Sequence, residues 1–262
     1  MFTHALQNLR DGILTLAYPQ ECRVCKGQVE SWRDGVVCHR CWENPHLTEL
    51  FTRTSTCHKC DYPLPPVQQF AARTTDVTTI PAQPRQCGRC QKMPFTFARA
   101  CGAYTGTLEA NILFLKSTPH LCRRLREMLG QTYQANEAVL ASEVIVPVPL
   151  HDLRKRERGF NQAEVVARAL AWDYGLNLDT TALIRSKATE RHRVGMDEVD
   201  RLKSVAKAFK VRDPQRLKAR SILLIDDVFT TGSTIRVAAE TLLNAGVVDV
   251  KALTLVRVIQ RL

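Results

Sequence analysis

The sequence has few of the features that a membrane protein or an exported protein needs. Among its 262 residues, the longest apolar runs, SEVIVPVPL and SILLI, are far shorter than a membrane span of roughly 20 residues. The N-terminus has no basic start, no unbroken apolar core and no small-residue cleavage site, so we do not interpret it as a signal peptide. We therefore expect a cytoplasmic protein without a membrane span.

Aromatic residues are also scarce, at 6% of the chain, so a stacking platform for single-stranded nucleic acid is not evident. Hydrophobic residues make up 45% and charged residues 24%, which is an ordinary globular composition. The net charge is +11. Residues 1–94 hold 11 basic and 8 acidic side chains, and residues 95–262 hold 26 and 18. This excess favours a phosphate-bearing partner, either nucleic acid or a phosphorylated small molecule.

Residues 1–20 predict a short amphipathic helix. Apolar side chains recur there at helical spacing and stop before Pro19, at Phe2, Leu6, Leu9, Ile13, Leu16 and Ala17. Docking of this helix on its own protein is favoured over contact with a membrane or a partner.

Residues 21–94 have a different composition, dominated by four Cys-x-x-Cys pairs: Cys22/Cys25, Cys38/Cys41, Cys57/Cys60 and Cys87/Cys90. The polar, proline-containing stretches between them cannot bury enough apolar surface to fold alone. Two Zn²⁺ sites with four thiolate ligands each would supply the missing stability. Disulfides are the alternative, but two residues between partners give a strained bridge, and a thioredoxin-like motif needs a single pair beside a βαβ unit.

The spacing leaves the pairing of these motifs open. Neighbouring pairs are separated by 12 and 26 residues in a consecutive arrangement, whereas a nested arrangement joins 38/41 to 57/60 across 15 residues. A cross-brace would join the first pair to the third. Loop-closure entropy weakly favours the consecutive arrangement, which we adopt. Cys101 and Cys122 lie in apolar surroundings and are interpreted as buried small residues.

Residues 95–262 alternate strands and helices. The predicted strands are FTFARACGAY, SEVIVPVPL, TTALIRS, SILLIDD and VKALTLVRVI, and helical segments lie between most of them. Continuous apolar strands separated by helices indicate an α/β fold, with an open, mostly parallel twisted sheet and helices on both faces. Such a sheet binds its ligands beyond the carboxyl ends of the strands.

The stretch ILLIDDVFTTGST, residues 222–234, combines a buried strand, two aspartates and a loop that opens a helix. Backbone N–H groups and hydroxyls in that loop, together with the helix dipole, form an anion pocket, and Gly232 permits close approach. Because Asp226 and Asp227 would repel a phosphate, they must face something else, such as sugar hydroxyls or a divalent metal. A phosphoribose with Mg²⁺ fits both requirements. The alternative is a capped helix start with a surface salt bridge.

These thirteen residues resemble the phosphoribosyl-pyrophosphate signature of type I phosphoribosyltransferases. The segment VPVPLHDLRKRERGFNQAEVVARAL resembles the ComF family, in which a cysteine-rich zinc N-terminus precedes this transferase domain. The resemblance covers nearly the whole chain. It implies a type I phosphoribosyltransferase fold over residues 95–262, preceded by a double zinc ribbon over residues 21–94.

The resemblance also implies a role for each matching residue. Asp226 and Asp227 would be catalytic and hold the ribose hydroxyls, and the 5′-phosphate would lie on Thr230, Thr231, Gly232, Ser233 and Thr234. The pyrophosphate would be bound by Lys116, Leu150, His151, Arg154, Arg158, Gly159, Asn161 and Gln162. Without the resemblance, RKRERG is a basic loop suited to diphosphate charge, or simply a solvated loop.

A flexible loop over residues 185–209 would close on the substrate and include Arg185, Lys187, Thr189 and His192. It departs from the family pattern at His192, where the family usually has Gln, and at Ser204, where it usually has Asn. Both departures bear on how the loop selects an acceptor.

Three functions are consistent with these features. The first is a Mg²⁺-dependent phosphoribosyltransferase, or a sensor with the same ligand. The second, which the family's link with DNA uptake in competence supports, is a protein that handles single-stranded DNA through its ribbons and basic surface. The third is a scaffold whose ribbons recruit a competence helicase.

Overall fold

The computed structural model describes residues 11–13, 15–43, 56–64, 85–185 and 208–259. Most of the helix expected over residues 1–20 lies outside these ranges, and its described part is helical at residues 11–13 and 15–17. No helix of the described residues is long and apolar enough to cross a membrane.

A four-stranded parallel sheet organises the C-terminal part of the chain. Its strands lie in the order β1-β6-β5-β2, namely β1 (Ala98–Ala103), β6 (Asp249–Arg257), β5 (Ser221–Phe229) and β2 (Val144–Pro147). All three pairings between neighbouring strands are parallel. The predicted parallel sheet is confirmed.

Helices connect and cover these strands. In chain order they are α1 (His39–Trp42), α2 (Gly106–Leu115), α3 (Arg123–Ala135), α4 (Glu137–Leu140), α5 (Asp152–Arg158), α6 (Gln162–Tyr174), α7 (Pro214–Leu217) and α8 (Ser233–Asn244). A 3-10 turn, Trp32–Asp34, precedes α1.

The hydrophobic core has two halves, one on each face of the sheet. Successive residues of β5 alternate between them: Leu223 and Ile225 pack with buried residues of α2, α3 and α6, whereas Ile222 and Leu224 pack with α8. This alternation follows from the two-residue period of a strand. Because both faces are covered, β5 is apolar without interruption from Ile222 to Ile225.

Three expected elements differ from the structure. The predicted strand TTALIRS exists as β3 (Leu183–Arg185), but it pairs antiparallel with β4 (Phe209–Val211) in a separate two-stranded sheet. The stretch HLCRRLREMLGQTYQANEAVL, residues 120–140, has the pattern of one continuous helix, but the helix is interrupted at Asn136, whose side-chain oxygen accepts a hydrogen bond from Arg99 at 2.9 Å. The basic segment RKRERG, expected as a loop, lies largely in helix α5.

Helix α5 forms because the segment carries its own start and stop signals. The ring nitrogen Nδ1 of His151 accepts a hydrogen bond from the Leu153 amide at 3.2 Å, which caps the first turn. Gly159 ends the helix with a φ of 79°, a left-handed conformation that glycine adopts without strain. Basic residues in the last turn also complement the negative end of the helix dipole.

Candidate functional site

Asp226 and Asp227 lie where strand β5 extends beyond the end of its neighbour β2. Strand β2 pairs with β5 only as far as Ile225, whereas β6 continues to pair beyond it, with Asp226 opposite Thr254. The expectation that the aspartates end the strand is therefore wrong, because pairing with β6 extends β5 to Phe229. One edge of β5 is nevertheless open at Asp226 and Asp227.

A cleft of about 190 Å³ adjoins that open edge. It is lined by ten residues expected in the site, namely Lys116, Leu150, Arg154, Arg158, Asn161, Gln162, Arg185, Asp226, Asp227 and Thr234. The end of α2, the segment after β2, the start of α6, the end of β3, the aspartate strand and the start of α8 thus converge on one cleft, although their lining residues, from Lys116 to Thr234, are up to 118 positions apart.

Other expected residues lie outside the lining of this cleft. His151 and Gly159 cap the two ends of α5 instead. Thr230 and Thr231 border a much smaller cavity that is also lined by Cys60, Cys87 and Cys90. Gly232 and Ser233 belong to the lining of neither cavity. Lys187, Thr189, His192 and Ser204 lie outside the described residues.

Hydrogen bonds fix the turn that leads into α6. The Asn161 side chain accepts from the Ala163 amide at 3.2 Å and donates to the Val148 carbonyl at 3.0 Å. The Gln162 side-chain oxygen accepts from Arg158 at 3.1 Å. Its nitrogen Nε2 is buried and has no hydrogen-bond partner within the part of the chain that the structure describes. A buried amide donor at a cleft is unfavourable unless a ligand or water satisfies it.

The charges of the cleft are arranged unevenly. Burial, together with the neighbouring Asp227 carboxylate, raises the pKa of Asp226 well above its usual range, while the Arg185 guanidinium opposes this shift. Burial and the nearby Arg154 lower the pKa of Arg185, and Asp226 opposes that change. The cleft thus places four basic side chains around two acidic ones, an arrangement suited to a ligand with both anionic groups and hydroxyls.

Residues 230–234 form the loop expected to bind phosphate. Gly232 has a φ of 81°, and it immediately precedes α8, as predicted. The hydroxyls of Thr231 and Ser233 lie 3.1 Å apart, and the Ser233 amide donates to the Thr231 hydroxyl at 3.4 Å. The loop therefore presents amides and hydroxyls at the positive end of a helix of 12 residues.

The eight paired cysteines form two groups, and consecutive pairs share a group, as we adopted from the spacing. Within each group the sulfur atoms all lie within 4.8 Å of one another. The S–S distances are 3.9 Å for Cys22–Cys41, 3.5 Å for Cys25–Cys38, 3.3 Å for Cys57–Cys90 and 3.6 Å for Cys60–Cys87. A tetrahedral zinc site with Zn–S bonds of about 2.3 Å separates its sulfurs by about 3.8 Å. Each group could therefore hold one zinc ion.

The first cysteine group, Cys22, Cys25, Cys38 and Cys41, docks on helices α2 and α3. The Arg123 guanidinium binds the buried Asp34 carboxylate through two hydrogen bonds of 2.9 Å. The Thr107 hydroxyl donates to the Cys41 carbonyl at 3.1 Å. These contacts join the group to one helical layer of the C-terminal domain.

The second cysteine group, Cys57, Cys60, Cys87 and Cys90, packs against the sheet. The Ala98 amide at the start of β1 donates to the Lys59 carbonyl at 2.8 Å. Arg99 of β1 donates to the carbonyls of Lys59 and His58 at 3.3 and 3.2 Å and pairs with Asp61 at 3.3 Å. These four cysteines belong to the same core half as Phe229 of β5.

Several residues that shape these sites carry no signal in the sequence. Val148, Pro149, Ala163 and Val228 also line the cleft, but they are indistinguishable from ordinary core residues. Arg99 looks like one more polar residue in a strand until the structure shows its partners some 40 residues earlier. Isolated Cys122 is buried, as expected, and Cys101 is half-buried.

Comparison with known proteins identifies the domain family of the C-terminal half of the chain. Residues 135–262 match the phosphoribosyl transferase domain family. Among solved structures, glutamine phosphoribosylpyrophosphate amidotransferase from B. subtilis is 19% identical, with a TM-score of 0.34 over 50% of this chain and 26% of its own. A purine phosphoribosyltransferase from Pyrococcus horikoshii is 17% identical, with a TM-score of 0.29 over 50% of this chain and 68% of its own. Because both TM-scores are low, the assignment of the type I phosphoribosyltransferase fold rests on the domain match and the sheet topology.

Proteins of similar sequence show which members of this domain family the chain resembles. The DNA utilization protein YhgH of Salmonella typhimurium is 28% identical over 253 residues, which is 92% of this chain and 99% of that protein. Competence protein F of Haemophilus influenzae is 34% identical over 117 residues, covering 44% of this chain and 50% of that protein. Competence protein ComFC of Bacillus subtilis is 35% identical over 115 residues, or 44% of each. The chain carries a phosphoribosyl transferase domain over residues 135–262 and is homologous to the YhgH, competence F and ComFC proteins, as the resemblance predicted.

Proposed function

We propose that the cleft binds phosphoribosyl pyrophosphate together with Mg²⁺ and that the chain transfers the phosphoribosyl group to an acceptor. The convergence of Asp226 and Asp227 with four basic side chains in one cleft is the observation that carries this proposal. The family match supports it independently.

Each part of the ligand has a complementary surface. Asp226 and Asp227 would accept hydrogen bonds from the ribose hydroxyls, and the loop at residues 230–234 would donate to the 5′-phosphate. The diphosphate would lie toward Lys116, Arg154 and Arg158, and the unpartnered Gln162 amide would donate to one of its oxygens. Carboxylates and phosphate oxygens are the donors that Mg²⁺ prefers, so the residues present fit this ion.

The protein's contribution to the reaction would be electrostatic. Breaking the bond between ribose C1 and the pyrophosphate oxygen leaves positive charge on the ring and negative charge on the leaving group. The basic side chains would stabilise the departing diphosphate, while the aspartates hold the ring in position. Magnesium, when bound, adds positive charge beside the same diphosphate.

Calorimetry with phosphoribosyl pyrophosphate and Mg²⁺ tests the site. We expect the wild type to bind and the double variant Asp226→Asn/Asp227→Asn to bind at least about tenfold more weakly, a difference of about 1.4 kcal/mol. Asp173→Asn is the matched control, because Asp173 pairs with Arg126 away from the cleft and should leave the affinity unchanged. A wild type that does not bind would refute the proposal. Pyrophosphate release in a screen of acceptor bases then distinguishes transfer from ligand sensing.

The two cysteine groups are proposed as structural zinc sites, with the domain division at residues 21–94 and 95–262. Strand β1 supports this boundary, because it begins at Ala98 and pairs with β6 at the far end of the chain. Eight thiols reserved for zinc need a reducing compartment, which favours the cytoplasm. Metal analysis should find two zinc ions per chain, and a much lower content would contradict the assignment.

A second candidate function is the handling of single-stranded DNA, alone or with a competence helicase. The names of the relatives favour it, and so does one surface feature. Trp172 on α6 is 84% exposed, and Arg168 lies one helical turn before it. Arg168 pairs with Glu164 at 2.7 Å, so the exposed indole is the feature that offers a surface on which an unpaired base stacks.

Binding of oligothymidine at several salt concentrations tests this candidate. We expect affinity to fall as salt rises, because neutralised phosphates release counterions. Trp172→Ala should weaken binding without changing the salt slope, whereas Arg168→Ala should also reduce that slope. Salt-independent binding, or none, would contradict this candidate.

A further inference from the structure

Arg257 occupies an unusual position between the second cysteine group and the phosphate loop. It ends strand β6, directly opposite Phe229 in the register with β5, and only 4% of its surface is exposed. A guanidinium is rarely buried so deeply unless charges and hydrogen bonds compensate it.

The side chain of Arg257 reaches the second cysteine group. Its Nη1 donates a hydrogen bond to the carbonyl of Cys60, a residue 197 positions earlier. Its guanidinium carbon lies 4.0 Å from the centre of the Phe229 ring and 5.6 Å from that of the Tyr62 ring. One planar cation thus contacts the cysteine-rich module and the aspartate strand together.

The positive charge of Arg257 is incompletely compensated by protein groups. Among the described residues it forms no ion pair with a carboxylate, and its buried Nε has no hydrogen-bond partner. Asp61 is close enough for Arg257 to oppose the rise that burial causes in the pKa of that carboxyl, but Asp61 forms its ion pair with Arg99. Four thiolates around one Zn²⁺ carry a net charge of −2. The zinc–tetrathiolate complex formed at the second group would therefore provide negative charge beside the buried guanidinium.

The Phe229 ring contacts both the Arg257 guanidinium and the loop at residues 230–234. A Cβ atom added to Gly232 would lie 2.7 Å from the Phe229 ring and 3.3 Å from the Met93 methyl carbon, so the loop backbone rests directly on both side chains. The cavity between the cysteine group and Thr230 and Thr231 measures only about 10 Å³. Such close packing leaves little room for the ring to shift without moving the loop.

We propose that Arg257 is a positioning residue, which couples zinc in the second cysteine group to the shape of the phosphate loop at residues 230–234. The guanidinium is held by the zinc tetrathiolate, it holds the Phe229 ring, and the ring supports Gly232. This role rests on the proposed function, because it assigns phosphate binding to that loop.

Two substitutions separate the charge of Arg257 from its shape. Arg257→Met removes the charge, and we expect one of the two zinc ions to leave to a chromogenic chelator roughly 10- to 100-fold faster, as for other residues that support metal ligands. Its affinity for ribose 5-phosphate should fall about tenfold or more, since the ring loses its support. Arg257→Lys keeps the charge but cannot stack a planar group on Phe229. We therefore expect zinc release near the wild-type rate with weakened ribose 5-phosphate binding.

Arg123→Met is the control, because Arg123 also joins the C-terminal domain to the module of the first cysteine group, through its ion pair with Asp34, and lines neither the cleft nor the small cavity beside Thr230 and Thr231. It should leave the affinity for ribose 5-phosphate unchanged. The coupling is overturned if both Arg257 variants bind ribose 5-phosphate as tightly as the wild type does. It is also overturned if Arg257→Met retains both zinc ions as the wild type does. A wild type that binds phosphoribosyl pyrophosphate but no ribose 5-phosphate would overturn the assignment of phosphate binding to this loop, and a wild type that binds neither would remove the proposed function itself. If Arg257→Met does not fold, Arg257→Lys decides by its ligand affinity alone.

Discussion

The two cysteine groups have the same ligand set but different surroundings. In the second group all four cysteines are buried, whereas in the first Cys25 is exposed and Cys41 is half-buried. The first group contacts helices α2 and α3 through an arginine that is 42% exposed, and the second contacts strand β1 through one that is 8% exposed. Similar cysteine modules can therefore differ in what they support: the first packs on a helical layer, and the second packs on the sheet beside the loop at residues 230–234.

The largest expected effect comes from removing one ligand from each group in turn. Cys87→Ser should lose one zinc ion and lower the melting temperature by about 10 °C or more, because zinc binding contributes directly to folding and this group shares a core with the sheet. Cys25→Ser should also lose one zinc ion, with a clearly smaller drop in melting temperature. Zinc analysis and thermal melting provide the readouts. Equal destabilisation by the two variants would remove the distinction between the groups.

Arg99 and Arg123, which join the two cysteine groups to the C-terminal domain, allow a second comparison of the groups. Arg99→Met leaves Asp61, the Asn136 side-chain oxygen and three backbone carbonyls without their donor in a buried setting, so we expect a loss of about 3 kcal/mol in the free energy of unfolding. Arg123→Met removes a more exposed partner and leaves Arg124 near Asp34, so a loss of about 1 kcal/mol is expected. Denaturant titration measures both values. If Arg123→Met proved the costlier change, the first group would be the more tightly integrated one.

The smallest predicted effect concerns Asp226, at the open edge of β5. This strand ends at Phe229, which packs with the second cysteine group. The pKa of Asp226 is raised in the folded state, so its stabilising contribution is complete below the unfolded pKa of about 4 and is lost as pH rises through the folded pKa. Asp226→Asn should therefore match the wild type near pH 4 and become the more stable protein as pH increases. Each kcal/mol of relieved repulsion would raise the melting temperature by about 2–4 °C. A constant difference across the pH range would exclude a buried, destabilising carboxylate.

The sequence predicts the local parts of this architecture better than the contacts between distant parts. The cysteine pairs, the strand before Asp226 and the helix after Gly232 are encoded in short patterns, and the structure reproduces all three. The end of β5 was misplaced because strand length depends on the neighbouring strands, and β6 pairs further than β2 does.

Long-range polar contacts could not be predicted for the same reason. The bond from Arg257 to the Cys60 carbonyl spans 197 positions, and nothing in the apolar stretch around Arg257 indicates its partner. Helix α5 was missed because its basic composition suggested a solvated loop, whereas His151 and Gly159 supply a complete pair of caps.

We propose that the aspartate strand and the loop at residues 230–234 bind the ribose hydroxyls and the 5′-phosphate of one phosphoribose. A crystal structure of the chain with phosphoribosyl pyrophosphate and Mg²⁺ tests it most directly. We predict the 5′-phosphate on the amides of residues 230–234, the ribose hydroxyls on Asp226 and Asp227, and the diphosphate facing Lys116 and Arg154. A ligand bound elsewhere on the protein, or a cleft left without ligand at concentrations that saturate binding in solution, would contradict the claim.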